Sequence, residues 1–341
     1  MLVTAVVDPS AFESVYFDAS DYGLHAEDFL KGILRNGILI VDSDNRIRDE
    51  LLDRLRSVPI KYRQQLEGML THLIYSTKKL IKCSPENQRQ VRGVSSLDLA
   101  IHLKNSFCVD ALIASWQSIE HLRAKRELTS DDILLAEYRD SPFEEQRRLY
   151  DNLPGIDTLG RDEVDDLFIR AVKYTKWIRF YDKQIGKGTN TSNFRRGIDY
   201  ILDLWHNHGH FAPKPSTSQR FCEGIGIITC QGCDISDDDT EHEKESKMER
   251  NMASLAKVKD ELIDPLRNKF PWPIKLILKE DQDDIFHSRY LETQHIIIKV
   301  DRGFDLFRGR VFKTNFLDIN PAHSDHLKKC RKLKDAYCDP E

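Results

Sequence analysis

The sequence predicts an α/β protein of two domains, the first built on a mostly parallel sheet flanked by helices. Three observations predict it. Short apolar runs rich in β-branched residues recur between longer stretches whose apolar residues fall three and four apart, the order of strands alternating with helices. A segment rich in Pro, Gly and acids, DNLPGIDTLGRDEVDD (151–166), interrupts that order, which then restarts. The 341 residues suffice for two domains of ordinary size. The expected boundaries are residues 1–150 for the first domain, 151–165 for a linker and 166–341 for the second.

LVTAVVD (2–8) reads as a buried strand ended by Asp-Pro. HAEDFLKGILRNG follows as a helix with Phe29, Ile33 and Leu34 on one side and Gly37 closing it. ILIVD (38–42) is a second buried strand. The helix in SDNRIRDELLDRL takes Ser43 or Asp44 as its N-cap and turns Ile47, Leu51, Leu52 and Leu55 inward. YRQQLEGMLTHLIYSTKKLI reads as one long amphipathic helix, SPENQRQVRGVSS as a loop, and LDLAIHLKNSFCVDALIASWQSIEHL as helical throughout. RELTSDDILLA is a turn into a further element. In the second half, VDDLFIRAVKYTK and FRRGIDYILDLWHNHG read as helices, and MASLAKVKDELIDPL as a helix halted near Pro265. WIRFYD (177–182), GIGIITC (224–230), WPIKLILK (272–279) and HIIIKV (295–300) read as strands.

Composition bounds the function classes. Hydrophobic residues make up 40% and charged residues 31%, the balance of a globular chain and not of a disordered one. No apolar run is long enough to cross a bilayer. The opening stretch lacks the basic flank and cleavage site of a signal peptide. Seven cysteines, an odd number without framework spacing, point to a reducing cytoplasm. A net charge of -5 leaves no global basic footprint, so any nucleic-acid contact must come from a local patch.

Four acids stand where an α/β sheet could gather them: Asp8 after the first strand, Glu50 in the helix after the second, Asp110 in a stretch read as helix, and Asp131 after LTS. Crowded carboxylates repel unless a divalent cation neutralises them. Mg²⁺ or Mn²⁺ accepts oxygen ligands and activates a water for attack on a phosphodiester. The segments VVDPSAF, RDELLDRL, VDALIAS and ELTSDD, in that order, resemble the PIN-like nuclease family over residues 1–150. The resemblance implies that Asp8, Glu50, Asp110 and Asp131 are the catalytic metal ligands. Thr129 would then be the hydroxyl before the last acid, Asp132 a stand-in for Asp131, and RNA the favoured substrate. Arg89, Arg92, Lys104 and Arg123 are candidate phosphate contacts. The alternative reads Asp8 as a turn residue before Pro, Glu50 as a surface helix residue and Asp131 as an N-cap.

DDIFHSRYLETQHIIIKVDRGFDLF (283–307) resembles the phospholipase D-like domain found after microtubule-interacting-and-transport domains. It carries an H-x-R in His287 and Arg289, then an R-G-x-D in Arg302, Gly303 and Asp305. IRFYDKQIGK (178–187) is similar to that family's earlier strand, and the likeness spans residues 164–320. An active phospholipase D motif is H-x-K-x4-D. Here Arg289 takes the Lys position and Gln294 the Asp position, and one such motif is visible. The resemblance therefore implies a domain that binds or senses phosphate-type ligands through His287, Arg289 and Arg302, oriented by Asp182 and Asp305. The alternative is a polar network that fixes the hairpin.

Cys230 and Cys233 form a C-x-x-C without a second pair, with Cys222, His206, His208 and His210 nearby as further zinc candidates. The tail with Lys328, Lys329, Arg331, Lys332 and Lys334 reads as a solvated helix face. Together these readings predict a cytoplasmic Mg²⁺- or Mn²⁺-dependent endonuclease acting on RNA. Its second domain would sense a ligand, bind a protein partner or drive homo-oligomerisation. By analogy alone the role would be prokaryotic antiphage defence. The alternatives are a non-enzymatic phosphate- or lipid-binding adaptor and a metal-independent phospholipase D-type phosphodiesterase acting through His287.

Overall fold

A computed structural model describes residues 3–19, 21–77, 79–83, 93–150, 153–211, 224–236, 238–281, 284–319 and 323–339. The chain is mixed α/β and separates into two compact units, residues 1–151 and 152–341.

In the first unit the described strands are β1 (Val3–Val7), β2 (Gly37–Asp42), β3 (Leu80–Cys83), β4 (Ala111–Ala114) and β5 (Asp132–Leu134). They form a parallel sheet in the order β3-β2-β1-β4-β5. Strands β1 and β2 are buried along their whole length, as befits strands with helices on both faces. The helices are α1 (Tyr22–Asn36), α2 (Arg46–Ser57), α3 (Ile60–Tyr75), α4 (Ser96–Phe107), α5 (Trp116–Lys125) and α6 (Pro142–Leu149). The chain steps outward from β1 to β3, then crosses back to β4 and β5. Right-handed crossovers put α1 to α3 on one face and α4 and α5 on the other.

Three local readings change. The end of the long helix read through Lys78-Lys79-Leu80-Ile81 is instead β3. The stretch read as helical across 97–122 contains β4, whose four residues are all buried. An apolar run of that length carries no period that separates strand from helix. The N-cap of α2 is neither Ser43 nor Asp44. Asp42 reaches over a turn in which Asn45 is left-handed (φ 63°), and its carboxylate accepts the N–H groups of Arg46 (3.0 Å) and Ile47 (2.9 Å).

In the second unit α7 (Arg161–Val172) precedes β6 (Trp177–Tyr181), α8 (Thr191–His208), β7 (Gly224–Cys230), α9 (Glu241–Val258), α10 (Asp264–Lys269) and β8 (Ile274–Lys279). Then come β9 (Tyr290–Thr293), β10 (Ile297–Val300), the small ribbon of β11 (Phe307–Arg308) and β12 (Val311–Phe312), β13 (Leu317–Asp318), α11 (His323–Lys332) and β14 (Asp335–Cys338). The described sheet runs β13-β10-β9-β6-β7-β8-β14, with β6, β7 and β8 parallel and the flanking pairs antiparallel. Both parallel crossovers step in one direction, so their right-handed helices share one face. That face is apolar and buried: Ile178, Phe180, Ile225, Ile227, Ile274, Leu276 and Leu278.

Pro265 does not halt the preceding helix. A π-helical turn at Lys259–Ile263 precedes it, Pro265 falls in the first turn of α10, where no amide hydrogen is needed, and the helix runs on to Lys269. Part of the expected linker is packed: Ile156 is buried and its N–H donates to the Asn315 carbonyl at 2.9 Å. Among the described residues no helix is long and apolar enough to cross a membrane.

Candidate functional site

In an open α/β sheet the binding crevice lies at the C-terminal ends of the strands where their order reverses, here between β1 and β4. Asp8 follows β1 and Ser115 follows β4. The Asp8 carboxylate is buried and enclosed by hydroxyls. Ser118 donates to its Oδ2 at 2.5 Å, Ser10 donates to the same oxygen, and the Ser10 N–H reaches Oδ1 at 3.3 Å. Ser115 completes the cage, 2.9 Å from Ser10 Oγ and 3.0 Å from Ser118 Oγ. On α2, Glu50 accepts from the Ser96 hydroxyl and from Arg54 (3.2 Å), which also pairs with Glu13 at 2.9 Å.

The other two expected ligands lie at the opposite edge. Asp110 precedes β4, and its Oδ2 accepts the Thr4 N–H (2.7 Å) and the Thr4 hydroxyl (2.9 Å) at the start of β1. Four residues of strand separate Thr4 from Asp8, about 13 Å. Asp131 precedes β5 on the same far edge, is exposed, and accepts from the Ser130 hydroxyl at 3.2 Å. Its neighbour Asp132 is the engaged acid, paired with Lys104 at 2.8 Å and accepting the Thr129 N–H at 2.7 Å. The strand at 111–114 is what overturns the expected set, because it carries Asp110 to the wrong end of the sheet. Ligands of one Mg²⁺ or Mn²⁺ must all approach to about 2.1 Å of the ion, so these four carboxylates do not fit a shared metal. Among the described residues no group of three or more His, Cys, Asp or Glu side chains is placed to hold one. Lys104 is buried against Asp132 and Thr129, and Arg123 is an exposed partner of Glu120, so neither serves as the expected phosphate contact. Arg89 and Arg92 lie outside the described residues.

In the second unit Asp182 follows β6 and is entirely buried. It accepts the N–H groups of Gln184 (3.0 Å) and Phe304 (3.2 Å), and Arg289 Nε stands 3.8 Å away. Burial pushes its carboxyl up to about 6, against the pull of those amides and of Arg289. Arg289 also donates to the Asp301 carbonyl at 3.0 Å. Gly303 is left-handed (φ 74°), and a Cβ there would fall 2.0 Å from Asp182 Oδ2. Asp182 and Arg289 thus clamp the 301–304 turn onto the strand end, which is the hairpin-fixing alternative. The remaining members of the expected phosphate set have separate partners. His287 Nδ1 is 2.6 Å from the Asp284 carbonyl and its ring is 5.2 Å from His326. The Arg302 side chain is exposed, while its N–H donates to Asn315 Oδ1 at 3.0 Å. Asp305 pairs with Lys313 at 2.6 Å.

The zinc candidates also disperse. Cys230 is buried with its Sγ 3.9 Å from Asp281 Oδ2, and burial raises its thiol pKa. The Cys233 N–H donates to Asn251, the His206 ring packs on Trp272 at 5.5 Å, and Cys222 lies outside the described residues. In the basic tail, Arg331 is no solvated charge, since it pairs with Glu292 beside Tyr181.

Sequence reasoning missed the feature that the sheet builds on its other face. Register aligns Trp177 with Gly224, Arg179 with Gly226 and Lys275, and Tyr181 with Ile228 and Ile277. These residues, with Lys279 and Arg331, line a groove of about 390 Å³, a volume in the range of small-molecule sites. The Arg179 guanidinium lies over the Trp177 ring at 4.5 Å. Lys279 donates to the Leu333 carbonyl at 2.9 Å and pairs with Asp335. Four cations line the groove, and Glu292 and Asp335 are the carboxylates that pair with them, so positive charge is in excess. The available signal was the alternation in IKLILK and WIRFY, together with a G-I-G strand whose bare backbone admits close approach. No family model, curated protein or solved structure matches the chain.

Proposed function

We propose that this chain is a non-enzymatic binding protein for a phosphate-bearing ligand, held in the groove on the open face of the second unit's sheet. One observation carries the reading: Arg179, Lys275, Lys279 and Arg331 surround a glycine-floored groove with fewer carboxylates than cations. Guanidinium and ammonium groups supply charge-assisted hydrogen bonds to phosphate oxygens. The resemblance to a phosphate-binding phospholipase D-like domain supports the ligand class, with the site moved from His287 and Arg289 to the sheet face. On this reading the first unit keeps a PIN-like frame whose acids act as clasps and caps.

The test is a titration of the full chain with soluble phosphate compounds and, separately, with phosphatidylcholine vesicles containing or lacking a phosphoinositide. A soluble phosphate or a lipid headgroup offers the same chemistry, and the two arms tell them apart. Binding in either arm should weaken by roughly tenfold in Arg179→Ala or Lys275→Ala, the loss of one charged hydrogen bond, and should fall with added salt. The proposal is overturned by an absence of binding in both arms. Mn²⁺-dependent RNA cleavage that disappears in Asp8→Asn would equally overturn it.

A further inference from the structure

Resting on that phosphate-binding reading, we infer that the groove takes a nucleotide, its base standing in the slot above Gly224 and Gly226 and its phosphate turned toward Lys275 and Arg331. Register defines the slot. Strand β7 forms the floor, with glycine at both positions facing the groove. Trp177 and Arg179 rise from β6 on one side, and Pro273 and Lys275 from the β8 side on the other. Neighbouring strands lie about 4.8 Å apart, so the two walls are separated by about 9.6 Å. A planar ring in contact with both walls needs about 7–8 Å between wall atoms. One flat ring therefore fits between them.

The chemistry of the walls matches a base. The Trp177 indole with Arg179 stacked on it offers an aromatic and cationic surface of the kind that bases stack against. Further along the strands, the Tyr181, Ile228 and Ile277 row deepens the floor, and Arg331 lies over it with its Nε 3.4 Å from Tyr181 Oη. Two residues of strand, about 7 Å, separate that row from Gly226. Base and phosphate are thus given different neighbours, aromatic at one end and cationic at the other. A sugar phosphate or a lipid headgroup satisfies the cations and leaves the slot without a planar occupant.

Calorimetric titration of the full chain with adenosine monophosphate, ribose 5-phosphate and inorganic phosphate tests this. The nucleotide should bind more tightly than ribose 5-phosphate by on the order of tenfold, the contribution of one stacked base. Gly226→Val, which fills the slot, should erase that excess and leave ribose 5-phosphate binding as in the parent chain. Trp177→Leu, which removes one wall and leaves the floor, should do the same and carries the test if the valine variant does not fold. Equal binding of nucleotide and ribose 5-phosphate in the parent chain overturns the base slot and leaves the phosphate reading standing. No binding of any of the three overturns the nucleotide inference, and the vesicle arm then decides the broader reading.

Discussion

Removing the Asp110 side chain separates a clasp from a metal ligand by the sign of its effect on stability. Thr4 is buried, and its N–H has the Asp110 carboxylate as acceptor at 2.7 Å. Asp110→Ala forfeits a charge-assisted bond worth about 1.5–3 kcal/mol and leaves a buried donor unsatisfied, so a loss of about 3 kcal/mol is expected. Asp110→Asn keeps one acceptor oxygen and should lose about 1 kcal/mol. For a unit of this size each kcal/mol moves the midpoint by about 2–4 °C. The alanine variant should therefore melt roughly 6–12 °C lower in its first-unit transition, read by scanning calorimetry on the full chain. Asp131→Ala, at an exposed acid whose partner is Ser130, should stay within about 0.5 kcal/mol of the parent. A metal centre predicts the reverse: deleting one of several crowded carboxylates relieves repulsion and raises the melting point without metal. If Asp110→Ala is as stable as the parent, and Mn²⁺ stabilises the parent while Asp8→Asn and Asp110→Ala both lose that effect, the clasp reasoning is wrong.

Three further outcomes follow from the same geometry. Asp182 holds its proton more tightly folded than unfolded, so its contribution to stability is complete below about 4 and is lost as pH rises through about 6, a change of about 3 kcal/mol; melts of the second unit across that window should show the slope, and Asp182→Asn should flatten it. Gly303→Ala places a methyl against the Asp182 carboxylate in a left-handed turn and should cost more than about 3 kcal/mol, whereas Gly309→Ala, also left-handed but opening onto free space, should cost about 1–2 kcal/mol in the same denaturant titration. Lys104→Met strands the buried Asp132 carboxylate and should destabilise the first unit by about 3–5 kcal/mol, with much of that loss recovered when Asp132→Leu is added.

The strands β1, β2, β6, β7 and β8 were legible because each is a short apolar or alternating run bounded by turn residues. Strand β4 was not, since Ala-Leu-Ile-Ala buried on every residue between two helices has no period to distinguish it. That single omission propagated to the site. An acid's place at one edge of a parallel sheet or the other depends on whether it precedes or follows a strand, so misreading 111–114 moved Asp110 from the N-terminal edge to the C-terminal one. Asp8 was placed correctly at a strand end, but the hydroxyls that enclose it come from Ser10 and Ser118, more than a hundred residues apart. The groove has no linear motif at all. Its members are brought together by register across β6, β7 and β8, and the sequence carries each strand's alternation without stating which strands are neighbours.

Parallel strands are normally covered on both faces, and this topology leaves one face of β6, β7 and β8 without a crossover helix. A chain that needed no ligand there could line the face with β-branched residues, which favour strands and would bury more apolar surface. Gly224 has a reason in the fold, since its φ is 100° and a Cβ would meet the Pro273 carbonyl at 2.9 Å. Gly226 has none of that kind. Its φ is not in the left-handed region, and a Cβ would meet flexible atoms, Arg179 Cγ and Ile228 Cδ1, each at 3.2 Å. Glycine inside a strand costs about 0.5–1 kcal/mol relative to alanine. Gly226→Ala should therefore stabilise the unliganded second unit by about that amount, measured by urea unfolding, while weakening nucleotide binding. Should the alanine variant prove less stable than the parent, Gly226 is required by the fold, and its bare backbone ceases to speak for a ligand.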